Sequence, residues 1–183
     1  MKKLLLLTTL ALSVAVTQAQ QGTVGFINSS ATPLRANGTN VTATVALYGA
    51  AATGLSSDST LTQLGATVNT FTPGLFSGGT RNVGNPGDTV TLQVRAWTGG
   101  FATWDLAQAA ALANPNVFVT VVRPMWEQPV GGTLPGGGGS LPTQPITGAG
   151  RFAGATLTPV PEPSSIALGL LGLGAIVLFR RRK

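Results

Sequence analysis

The sequence predicts a mainly β protein: a single antiparallel β-sandwich with one short helix, set between an N-terminal signal peptide and a C-terminal transmembrane helix. Three observations predict it. Val90, Leu92, Val94 and Ala96 alternate with Thr89, Thr91, Gln93, Arg95 and Trp97, the period of a strand with one apolar and one wet face. Such stretches are short and broken by Gly/Pro turns, as in two-sheet all-β domains. Both ends of the chain are oily runs flanked by cations, unlike the segment between them.

In chain order, Lys2 and Lys3 precede an apolar run from Leu4 to Val16, and Thr17-Gln18-Ala19 ends it with small residues at the −3 and −1 positions. These are the parts of a secretory signal over residues 1–19, handled by the Sec export machinery and cut by signal peptidase between Ala19 and Gln20. An uncleaved anchor is disfavoured because the run is short for a bilayer.

The body, residues 20–159, opens with the strand "TVGFIN". "VTATVALY" follows, placing Val41, Ala43, Val45 and Leu47 on one face and Thr42, Thr44, Ala46 and Tyr48 on the other. "LGATVNTF" and "FAGATLT" are weaker strands; "DTVTLQVRAW" is the clearest, and "NVFVTVV" is apolar enough to be central. Asn37-Gly38, Pro73-Gly74 and Asn85-Pro86-Gly87-Asp88 supply the turns. One segment is helical: Thr103 as N-cap, Asp105 in the first turn, and good helix formers from about Trp104 to Leu112 with Pro115 beyond. A Gly/Pro-rich stretch over about 131–148 reads as a flexible loop before the last strand or as the start of a linker.

The formal charge of +6 and pI near 11.3 would suit a nucleic-acid binder, but the cations are not gathered on one face. Lys2, Lys3 and residues 180–183 hold most of them. The body carries Arg35, Arg81, Arg95, Arg123 and Arg151 against Asp58, Asp88, Asp105 and Glu127. Scattered single cations do not track phosphates, so no nucleic-acid partner is expected. With no cysteine and no histidine, disulfides, thiolate or imidazole metal sites and Ser-His-Asp hydrolysis are excluded. Four body carboxylates are a thin inventory for acid/base chemistry, and no cofactor, metal site or catalytic residue is assigned.

The aromatic residues leave more room. Trp97 falls on the polar face of its strand, and Phe101, Trp104 and Trp126 lie in or near adjoining loops. Either Trp97, Trp104 and Trp126 form an exposed shelf that stacks on sugar rings, or Trp97 is covered by the 99–104 segment as a satellite core.

The C-terminus reads "VPEPSSIALGLLGLGAIVLFRRRK". Residues 164–179 carry no charge; as a helix they reach about 24 Å, and the snorkelling stems of Arg180, Arg181, Arg182 and Lys183 extend this to about 30 Å. The cations keep the end in the cytoplasm and leave the body outside the inner membrane. Pro159, Pro161 and Pro163 hold the preceding segment extended, with Glu162 exposed, as a protease site should be.

Residues 160–183, with Pro161, Glu162 and Pro163 followed by the oily helix and the basic tail, resemble the PEP-CTERM sorting signal of Gram-negative bacteria. The resemblance implies processing near Pro-Glu-Pro by exosortase, a membrane-embedded transpeptidase, and delivery to the cell surface or an exopolysaccharide matrix. "LPTQP" at 141–145 has Gln and Pro at the fourth and fifth places, where a sortase signal has Thr and Gly, and is discarded. The expected role is structural or adhesive. A carbohydrate-binding module for exopolysaccharide is the alternative, and a glycan-active enzyme is less favoured.

Overall fold

The computed structural model describes residues 20–114, 116–121 and 125–159. Its strands are β1 (Thr23–Ile27), β2 (Leu34–Ala36), β3 (Thr39–Asn40), β4 (Thr44–Ala50), β5 (Thr62–Gln63), β6 (Val68–Asn69), β7 (Ser77–Asn82) and β8 (Thr89–Trp97). After helix α1 (Trp104–Ala113) come β9 (Phe118–Val121), β10 (Trp126–Pro129), β11 (Gly132–Thr133), β12 (Ser140–Leu141), β13 (Gln144–Pro145) and β14 (Ala155–Pro159). The helix begins where its cap predicts: Thr103 Oγ1 accepts from Leu106 N.

A small sheet runs β13-β1-β7. A large one runs β3-β2-β14-β9-β8-β4-β5, with β10 also on β8 and β6 also on β4. The large sheet cannot be flat. Four strands lie between β3 and β4, about 24 Å at normal spacing. The chain from Asn40 to Thr44 spans at most about 14 Å. The sheet therefore curls, and residues 70–75 bridge its two margins: Leu34 N donates to Gly74 O at 3.0 Å and Gly74 N to Val41 O at 2.8 Å.

Both sheets feed one core. Val24 and Phe26 of β1 share it with Leu34, Leu47, Val90, Leu92, Val94 and Leu157 of the large sheet. A chain of aromatic rings runs through it, Phe26 to Phe76 at 5.0 Å, Phe76 to Phe152 at 5.9 Å and Phe152 to Trp126 at 6.5 Å. Each lies within the range of favourable ring pairs.

The Asn37-Gly38 turn forms as the sequence predicts. Both residues have positive φ, 51° and 79°, which suits a two-residue hairpin between β2 and β3.

Three expectations change. The sheets are not purely antiparallel: β1 pairs β13 and β2 pairs β14 in parallel. The supposed wet face of β8 is covered by α1 and the segment after β4, leaving Thr91, Gln93 and Trp97 buried. Thr91 is accommodated because its Oγ1 donates to Ala52 O at 2.7 Å.

The third change concerns the Gly/Pro-rich stretch at 131–148, which is folded. Gly132 pairs with Leu141 and Thr133 with Ser140, and β13 then joins the small sheet. Gly131 is needed for close approach. It exchanges two 2.9 Å backbone bonds with Thr23, and a Cβ there would lie 2.3 Å from the Pro142 carbonyl oxygen. Gly131→Ala is expected to destabilise the body by about 1–3 kcal/mol in thermal melts. Ser140→Ala, at an exposed position, should stay within about 0.5 kcal/mol.

Candidate functional site

The sorting residues Pro161, Glu162, Pro163, Arg180, Arg181, Arg182 and Lys183 and the predicted helix over 164–179 lie outside the described residues, as do residues 1–19 with Ala19. Gln20 is the first residue described and is partly exposed. The structure does fix how the chain approaches the motif. β14 is held on both sides, in parallel by β2 and antiparallel by β9, with Leu157 only 1% exposed. Its last residue, Pro159, pairs with Phe118. One residue, Val160, separates that pairing from Pro161.

The three tryptophans do not form a shelf. Trp97, Trp104 and Trp126 are 0%, 5% and 6% exposed. Trp97 donates from its indole to Phe101 O at 2.8 Å and meets Trp104 edge-on at 6.0 Å. With Ala46, Ala107, Ala111, Val117 and Val119 they make a second core between α1 and the large sheet. Trp126 belongs to the main core, and its indole donates to Gln128 Oε1 at 2.9 Å. Rings packed on both faces cannot stack on sugar, so the glycan-shelf expectation is corrected in favour of the satellite core under residues 99–104.

The structure gathers a different set of residues. A cleft of about 510 Å³ opens where α1 meets β4 and β8, lined in part by Tyr48, Asp58, Arg95, Trp104, Asp105 and Gln108. In a body this poor in charge, the concentration of three ionised groups in one cleft is the clearest polar feature.

Arg95 organises the cleft. Its guanidinium lies 3.9 Å from the Tyr48 ring centroid and 5.8 Å from that of Trp104, within cation–π range. Its Nε donates to Gln93 Oε1 at 2.9 Å, and Nη2 stands 3.4 Å from Asp58 O and 4.0 Å from Asp58 Oδ2. The Arg95 side chain is only 12% exposed, so these contacts offset its lost hydration. Gln93, fully buried, spends its oxygen on Arg95 and has no partner for Nε2 among the described residues. No sequence motif joins these residues. The legible signal was only that Arg95 and Tyr48 fall on the same strand faces as Trp97 and Ala46.

Tyr48 reports on the cleft. Burial pushes its phenol above the usual 10.0, the Arg95 charge pulls it back, and the Asp105 charge pushes it up. A group that holds its proton more tightly when folded stabilises the fold fully below its unfolded pKa. That contribution is lost as pH rises through the folded value. Tyr48 therefore weakens the fold in alkali, above about pH 10. The chain has one tyrosine, so tyrosinate absorbance reads this group alone. Arg95→Gln should raise the midpoint further and Asp105→Asn should lower it. The opposite signs would contradict the cleft geometry.

Residues 159–183 match the PEP-CTERM protein-sorting motif. Searches of curated proteins and of solved structures found no match to the chain. The motif implies an exported, exosortase-processed chain sorted to the cell surface.

Proposed function

We propose that this chain, whose residues 159–183 carry the PEP-CTERM sorting motif, is a surface or matrix protein whose β-sandwich body has a structural or adhesive role. The order of parts at the C-terminus is the observation that carries the proposal. The precursor is held by residues 164–179 with its body in the periplasm, and processing near Pro161–Pro163 releases the body to the cell surface or an exopolysaccharide matrix. Support for a passive body comes from a chain with neither histidine nor cysteine. We assign it no catalysis. Fractionation of a producing host with and without its exosortase tests the proposal. The body should lie in the surface and matrix fractions of the first and in the inner membrane of the second, and an unchanged distribution would contradict it.

The Arg95 cleft favours a second reading, in which the body holds matrix polysaccharide there and not on the tryptophans. Carboxylates, an amide and a phenol around one groove can hydrogen-bond sugar hydroxyls, and the Tyr48 ring supplies an apolar wall. Gln108→Ala should then abolish retention on the host polysaccharide while circular dichroism is unchanged. Equal retention of the variant and the parent would remove this reading.

A further inference from the structure

We propose that Asn37 is a self-modification site: in the folded body its side-chain amide converts to aspartate and isoaspartate through a cyclic imide formed with the Gly38 nitrogen. The conversion needs no enzyme and does not depend on where the chain is sorted.

The sequence singles out this asparagine among eight. Two of the others precede proline, which has no N–H to become a nucleophile. Four precede Val or Thr, whose branched Cβ crowds the attacking backbone nitrogen. Asn28 precedes Ser29 but is buried and bonded at both ends of its amide. Its Nδ2 donates to Thr32 O and Gly74 O at 2.9 Å each, and its Oδ1 accepts from Phe76 N at 2.7 Å. Asn37 alone precedes glycine.

The fold leaves this pair free to react. Asn37 and Gly38 are exposed at the turn between β2 and β3. A Cβ built on Gly38 would meet nothing within 4 Å. Among the described residues, neither the Asn37 amide nor the Gly38 N–H has a hydrogen-bond partner. The turn itself selects the labile pair. Both residues have positive φ, which favours Asn followed by Gly over other dipeptides.

In the first step hydroxide takes the Gly38 amide proton and the nitrogen attacks Asn37 Cγ. A C–N bond forms, and the side-chain nitrogen leaves as ammonia with a proton from water. One water then opens the imide at either carbonyl. Cleavage at Cγ gives aspartate, and cleavage at the main-chain carbonyl gives isoaspartate.

The two products differ in what they do to the hairpin. Aspartate tolerates positive φ much as asparagine does, so the turn persists. Isoaspartate routes the main chain through Cβ and Cγ, and the lengthened turn no longer matches a two-residue hairpin. The Arg35–Asn40 and Ala36–Thr39 pairs are then lost, while β2 keeps its pairing to β14. Either product puts a carboxylate two residues from the exposed Arg35. The modification therefore changes the charge and shape of one hairpin and leaves the core in place.

The full-length chain would be held in detergent at about pH 9, where alkali speeds imide formation and Tyr48 keeps its proton. Peptide mapping by mass spectrometry should find the NH2-to-OH mass change at Asn37 at least about ten-fold faster than at any other asparagine. Fragmentation should show both the aspartate and the isoaspartate form. Asn37→Gly keeps a residue that suits the turn, and it should yield no acidic species on ion exchange over the same period. Conversion spread evenly over several asparagines, or acidic species from Asn37→Gly equal to those of the parent, would overturn the proposal. An unchanged Asn37 in the folded chain, under conditions where a peptide spanning 33–41 converts, would overturn it too, because the turn would then act as a shield.

Discussion

Replacing Pro161, Glu162 and Pro163 together by alanine is expected to trap the full-length chain in the inner membrane and to cut the surface fraction at least ten-fold or so. An enzyme site built around a charged, hydrogen-bonding group rejects a substrate lacking it by large factors. Removing the prolines also removes the bias toward extended backbone that each imposes on the residue before it. The folded body gives the motif little slack: β14 is paired on both sides and its pairing ends at Pro159. Thr156→Ser, exposed on the same strand and upstream of the motif, should be processed normally. Undiminished release of the triple variant would mean that Pro-Glu-Pro is not what the enzyme reads.

Trp97→Ala should produce the largest loss of stability among single changes in the second core, about 3–5 kcal/mol. The indole is fully buried, bonds Phe101 O and packs edge-on against Trp104. Its removal leaves a void between α1 and the sheet and orphans the Phe101 carbonyl. Trp97→Phe keeps most of the volume and should lose less. The thermal midpoint of the alanine variant should fall by about 10 °C or more. A shift below about 2 °C would show that α1 is not packed as described. A binding defect in Trp97→Ala would therefore report the fold, whereas Gln108, exposed at the cleft, can be changed without that confusion.

What the sequence disclosed follows from where its information is local. β8 was legible because nine residues alternate without interruption, and α1 because Thr103, Asp105 and the alanine-rich run agree on one helix. The C-terminal signal was legible because its three parts need only be read in order. β11, β12 and β13 have two residues each, too few to carry a period, and they exist because distant strands offer partners. Covering of β8 on its second face was hidden for a related reason. Thr91, Gln93 and Trp97 are polar or amphipathic, and their burial depends on partners the folded chain supplies: Thr91 and Trp97 donate to Ala52 O and Phe101 O, and Gln93 accepts from Arg95. The Arg95 cleft draws residues from β4, β8, α1 and the Asp58 segment, so no spacing along the chain could have announced it.

The most direct measurement is the intact mass and C-terminal peptide of the body recovered from the surface of a host with a working exosortase. The expected product ends near Pro161–Pro163 and lacks residues 164–183. Recovery of chains still carrying Arg180, Arg181, Arg182 and Lys183 would contradict a detachable membrane segment.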